Sequence, residues 1–276
     1  MKKIIYFLFA FAILFPVFTG CDEDDTEKAP VLPPYESMVI DFSSFSGDAK
    51  SISDIKTTTN FFLAATTVYF WNATLVSVLS VPVAAFYSSF NHTPVYLGNK
   101  KWQWTYAVNG FAGEYTARLT GEVQSDDIKW EMYISKTGIG AFAEFKWFEG
   151  TSSADRNTGQ WTLYHSYQYQ EEVLVIDWLR ISGELSQITY TYVRELNNDG
   201  VTDDFNGSFL TYGLQEGNYN AYYHTHAYVN SISEFADTYI EWNTTEYYGH
   251  IKASYIYQDD IWHCWDNLGN DIDCTN

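Results

Sequence analysis

The chain of 276 residues is poor in positive charge: 15 Lys and Arg stand against 35 Asp and Glu, a formal net charge of −20. This excludes a free nucleic-acid binder, which needs a basic face to displace counterions from phosphates. Charge of either sign is missing altogether from residue 57 to residue 99. Cysteine (3) and proline (6) are scarce, which excludes a disulfide-stapled miniature fold and a proline-rich linker protein. At most two segments could serve as long apolar spans, so a polytopic membrane protein is excluded. The chain contains no HExxH, no Walker A loop and no GxSxG elbow. Aromatics, in contrast, are abundant: 23 Tyr, 19 Phe and 10 Trp exclude disorder. A chain of this length buries roughly 70–75% of its unfolded surface and needs no metal or disulfide framework to fold.

The first residues read as an export signal. Lys2 and Lys3 precede an almost wholly apolar run from Ile4 to Phe18, broken by Pro16, and Thr19-Gly20-Cys21 follows. A charged start, a short apolar core and small residues before a cut describe a cleaved secretory segment. With Cys at the cut, the segment resembles a bacterial lipoprotein signal, Phe18 standing where Leu, Val or Ile is usual. The resemblance covers residues 1–25 and implies that Cys21 becomes the acylated N-terminus. Asp22-Glu23-Asp24-Asp25 resembles the acidic export signal of surface lipoproteins of the Bacteroidota. It implies an outer-membrane lipoprotein facing the cell exterior rather than the periplasm, with the membrane as partner through its acyl chains. The expected organisation is a removed signal at 1–20, an acidic and Pro-rich tether at 21–34, and one domain at 35–276. Pro30, Pro33 and Pro34 stiffen the tether, as its charge does.

Two cysteines remain, Cys264 and Cys274, and in an oxidising compartment they are expected to pair. If they face each other, the hairpin centres on Gly269, with Gly269 and Asn270 able to take positive φ. Their C-x9-C spacing fits no compact zinc or thioredoxin pattern.

The uncharged stretch reads as an apolar helix over about 60–90, with Asn60 as N-cap and Pro82 ending or kinking it. A helix apolar nearly all round is buried in protein or in lipid. Beyond Tyr96 the period changes to two. Trp102, Trp104, Tyr106 and Val108 alternate with Lys101, Gln103, Thr105 and Ala107, and similar runs recur around residues 115–122, 128–135, 161–167, 188–192 and 236–242. Turn signals such as Asn109-Gly110, Asn157-Thr158-Gly159 and Asn198-Asp199-Gly200 separate them. The expected fold is mainly β: one antiparallel meander of about ten to twelve strands, forming a curved sheet, barrel or half-barrel with the helix packed on it. A β-sandwich is the alternative. By element order alone this resembles the lipoprotein-carrier family, whose half-barrel cradles acyl chains.

The chemistry-bearing candidates are few, and none composes a catalytic set. Gly138-Ile139-Gly140-Ala141-Phe142-Ala143 lacks the strand-to-helix context of a dinucleotide loop and reads as a turn. His224 and His226 share one strand face with Tyr222 and Tyr228, two ligands short of a third for a metal. Glu195, Asn197, Asp199 and Asp203 have the spacing of a calcium loop, with Gly200 at the sharp turn. Trp and Tyr faces can stack on sugars or line an apolar pocket. Trp102, Trp104, Tyr222, His224 and His226 are therefore the candidate ligand residues. The expected function is a non-enzymatic envelope module binding a glycan or an apolar ligand. A lipid or lipoprotein carrier and a subunit of a surface complex are the alternatives. No cofactor is expected beyond Ca²⁺ at the loop, and no nucleic acid.

Overall fold

The computed structural model describes residues 28–40, 59–110 and 113–274. Cys21, the lipidation candidate, lies outside them. The charge-free segment forms α1 (Thr59–Ser89), after which the regular structure is almost entirely strand. The strands are β1 (Val95–Gly98), β2 (Lys101–Gly110), β3 (Gly113–Val123), β4 (Asp127–Lys136), β5 (Phe142–Ser153), β6 (Thr158–Tyr164), β7 (Glu172–Ile181) and β8 (Glu184–Tyr192). They continue as β9 (Phe209–Leu214), β10 (Ala221–Val229), β11 (Glu234–Trp242) and β12 (Gly249–Lys252), then the single turn α2 (Ser254–Tyr257), β13 (His263–Trp265) and β14 (Asp271–Ile272). All fourteen strands pair antiparallel in one sheet, each beside its neighbours in sequence. The sheet is an open meander and not a closed barrel: β1 and β14 are its two edges. The count exceeds the expected ten to twelve because β12, β13 and β14 have only 4, 3 and 2 residues, too short to show a period.

The sandwich alternative does not arise, because the inner face packs on α1 and on the segment 28–40, not on a second sheet. Fourteen strands spaced about 4.8 Å apart would span some 60 Å if flat. One helix about 10 Å across and a short strap can bury that face only where the sheet curls round them.

The inner surface is built from tryptophan against glycine. Across the strands the directly opposed residues run Trp102, Gly121, Trp130, Gly150, Trp161, Ile176, Tyr190 and Leu210. The missing Cβ of Gly121 and Gly150 is where the rings of Trp130 and Trp161 lie. Gly159 under Trp178 and Gly249 under Trp265 repeat the device. An aromatic ring laid over a cross-strand glycine covers backbone that would otherwise be open. It also keeps the Trp rings low on the sheet, leaving depth for a helix above them.

Helix α1 differs from expectation at both ends. Pro82 sits inside it and the helix continues to Ser89. Proline removes one hydrogen bond, to the carbonyl four residues earlier; that residue, Val78, is exposed, so water can take the donor's place. Asn60 is not the N-cap. The backbone N–H groups of Thr59 and Asn60 instead donate to the Asp271 carboxylate at 3.1 and 3.0 Å. A helix N-terminus favours an anion, and here the last strand supplies it. The Asn60 amide, freed from capping, donates to the Cys264 carbonyl (3.0 Å) and accepts from the Tyr257 hydroxyl (2.9 Å).

The terminal hairpin that carries Asp271 is closed by the Cys264–Cys274 disulfide, with Cα atoms 5.3 Å apart. Cys264 pairs with Ile272, not with Cys274, so the turn is one residue earlier than a face-to-face cysteine pairing implies. Gly269 takes positive φ, whereas Asn270 does not. The Asp266 side chain sets the turn by accepting from the Leu268 and Asn270 amides, both at 2.9 Å.

Candidate ligand-binding site

Helix α1 is pinned at its two ends and loose between them. At the start, Phe61 packs edge-on against Trp265, and Asn60 and Asp271 make the bonds described above. Near the end, Phe86 packs against Trp161 and Phe148, and the Tyr106 hydroxyl donates to the Ala85 carbonyl at 2.6 Å. Burial pushes the Tyr106 phenol well above its ordinary pKa, so it stays a donor. From Tyr69 to Val78 no residue is fully buried. Tyr69 is 73% exposed, Phe70 61% and Val76 61%.

Under this loose middle lie two cavities, one on each flank of α1. The first, about 370 Å³, is bounded by a helix stripe that includes Asn72, Leu75, Leu79 and Val83, and by Tyr35, Val39 and Ile40 of the strap. The second, about 340 Å³, is bounded by a helix stripe of Trp71, Thr74, Leu75 and Val78, and by Leu174, Tyr192 and Leu210 of the sheet. Both volumes fall in the range of roughly 300–1,000 Å³ typical of small-molecule sites. The stripes follow the helical spacing of three and four residues, and they meet at Leu75. Leu75 and Tyr190 are the two residues that line both cavities.

Tyr190 is held still. Its hydroxyl donates to the Met38 carbonyl of the strap at 3.0 Å, and burial pushes its phenol pKa well above the ordinary value. Tyr192, at the second cavity, donates to Asp203 Oδ2 at 2.8 Å, and its pKa is raised by burial and then by that carboxylate. Asn72, Ser80, Thr74, Ser208, Tyr35 and Tyr87 are the other polar side chains on the linings. The arrangement offers apolar volume with a few neutral hydrogen-bonding groups, and no array of acid, base and nucleophile.

The candidate ligand residues read from the sequence do not gather into one place. Trp102 and Trp104 are 4% and 3% exposed, on the inner face, beneath the C-terminal half of α1. Tyr222, His224 and His226 lie on the outer face, because on β10 the odd residues Ala221, Tyr223 and Thr225 point inward and are buried. The sheet itself separates the two groups. Tyr222 covers Gly213 and donates to Gln187 at 3.0 Å. His224 Nε2 and His226 Nδ1 both reach Asp237 Oδ1, at 2.9 and 3.0 Å. Partial burial alone would raise the Asp237 pKa, but the bonds from the two imidazoles outweigh it and hold the carboxyl below its ordinary range.

These outer rings are turned toward one another. His224 stacks on Tyr239 at 4.2 Å, and His226 stacks on Phe235 at 4.8 Å with planes 2° apart and on Phe209 at 5.3 Å. Ring faces spent on neighbouring rings are not open to a sugar.

The segment that spaces like a calcium loop is a tight hairpin in which the Asn197 and Asp203 side chains accept hydrogen bonds from within the protein. Asn197 Oδ1 accepts from the Asp199 and Val201 amides, and Asp203 accepts from Tyr192 and from the Phe205 amide. Glu195 joins through its backbone, its carbonyl accepting from the Asp203 amide. Among the described residues no group of three His, Cys, Asp or Glu side chains could hold a metal ion. Gly138 and Gly140 take positive φ in the turn between β4 and β5, as expected.

Sequence reasoning missed the cavity residues, above all Tyr190 on the sheet and Leu75 on the helix. The one signal for them was the charge-free stretch, which marked α1 but not which of its flanks stays open. No family model matches the chain, and no curated protein or solved structure matches it.

Proposed function

We propose that this protein is a lipid-anchored cell-envelope module that holds an apolar ligand between α1 and the sheet, in the manner of a lipid carrier. The observation that carries the reading is the pair of apolar cavities under the loosely packed middle of a helix pinned at both ends. The glycan reading lacks such support, since the outer aromatic rings face one another. The anchor rests on the resemblance of residues 1–25 to a surface-lipoprotein signal. Metabolic labelling with a fatty-acid analogue tests it: Cys21→Ala should abolish incorporation. Surface proteolysis of intact cells tests the outward-facing position, and full protection from added protease would refute it.

Mass spectrometry of lipids that copurify with protein taken from native membranes tests the ligand. A defined lipid in molar proportion is expected, and a lipid-free preparation would refute the reading. A second role is favoured by the outer flank of α1, where Tyr69 and Phe70 are exposed without a charged residue near them in sequence. Such a flank can rest on a bilayer while ligand passes between membrane and cavity.

A further inference from the structure

We infer that the site holds two acyl chains of about equal length, one on each flank of α1. The inference rests on the apolar-ligand reading and names its ligand class. Two features carry it. The cavities are separate and nearly equal, about 370 and 340 Å³. Between them stand Leu75, from the helix above, and Tyr190, from the sheet below, with the Tyr190 hydroxyl tied to the strap. This partition divides the apolar space into two slots rather than one wide pocket.

Capacity follows from a reference case. A cavity of about 150 Å³ lined by aliphatic and aromatic groups accommodates benzene, roughly 25 Å³ per carbon. On that scale each slot takes roughly 14–15 carbons, the length of one common acyl chain. Two chains can come from one diacyl lipid or from two single-chain amphiphiles; the shared chemistry is the chain.

The test uses the full chain carrying Cys21→Ala, stripped of lipid and titrated with myristate, with stoichiometry read by native mass spectrometry. Two myristates per protein are expected. Val78→Trp, which fills the second slot, and Ser80→Trp, which fills the first, should each reduce the count to one, and the double variant to none. Val78 and Ser80 are exposed on α1, so each variant should keep the parent's circular dichroism and melting temperature, which are measured alongside. A parallel titration with dimyristoyl phosphatidylglycerol separates the sources. One molecule that displaces both myristates supports a diacyl ligand, and displacement of one or none supports two single-chain ligands. A single myristate on the parent protein, or a Trp variant that folds and still binds two, would overturn the two-chain inference while sparing the apolar-ligand reading. No binding of either probe would overturn both.

Discussion

Asp271 is the residue on which the N-terminal anchoring of α1 most directly depends. Its carboxylate accepts from the Thr59 and Asn60 amides at 3.1 and 3.0 Å, two of the donors that a helix leaves unpaired at its start. Replacing a cap by alanine costs about 1 kcal/mol, and losing a negative charge at a helix N-terminus costs about 0.3–1 kcal/mol more. Asp271→Ala should therefore destabilise the fold by about 1.5–2 kcal/mol, a fall in Tm of about 3–8 °C for a domain of this size. Asp271→Asn keeps an acceptor and should lose only about 1–3 °C. The disulfide that holds the same hairpin spans 10 residues, a loop whose closure is worth about 2.5–3 kcal/mol in the chain-entropy model. If it presents Asp271 to the helix, the two perturbations are coupled. In a Cys264→Ser/Cys274→Ser background, Asp271→Ala should then cost less than about 0.5 kcal/mol further. Far-ultraviolet circular dichroism melts of the four proteins complete the cycle. Equal costs of Asp271→Ala with and without the disulfide would refute the coupling, and a cost of zero in both would refute the cap.

Three more outcomes are expected. Affinity for saturated fatty acids should rise about fourfold per methylene, since each buried CH2 contributes about 0.8 kcal/mol, and should level off at roughly 14–15 carbons; calorimetry over a chain-length series showing no plateau would contradict slots of this volume. Gly150→Ala forces a Cβ into the Gln160 carbonyl and the Trp161 ring and should cost about 1–3 kcal/mol by overpacking, read as a lower denaturation midpoint; an unchanged midpoint would show that the Trp–Gly register is not needed. The hydrogen bond from His250, at 2.8 Å, holds Glu241 below its ordinary pKa. A depressed carboxylate contributes stability that is fully present above the unfolded value of about 4.3 and is lost as pH falls through the lower folded value. Glu241→Gln should thus flatten the acid limb of the stability–pH curve below about pH 4.3; an acid limb as steep as the parent's would refute the pairing's role.

Much of the architecture was legible in the residues themselves. Period two in runs such as Trp102 to Val108 and Ile128 to Ile134 reports strands because consecutive side chains of a strand point to opposite faces. The stretch without charge marked α1, though not that the helix runs on through Pro82 to Ser89. Local sequence also marked the two cysteines and the turns at Gly138 and Gly140. Each of these is decided by neighbours a few positions away.

What lay hidden was decided at long range. Alternation tells that two faces differ but not which faces inward when both carry rings, so Trp102 and His224 looked alike and lie on opposite sides of the sheet. The tryptophan-over-glycine rows exist only once register places Gly121 between Trp102 and Trp130. Asp271 caps a helix more than two hundred positions earlier, which no local signal can announce. The two cavities lie along the stretch of α1 from Tyr69 to Val78, where no helix residue is fully buried against the sheet. The composition of α1 therefore fixed what the helix is made of, and the packing of its two ends decided that apolar space remains beneath it.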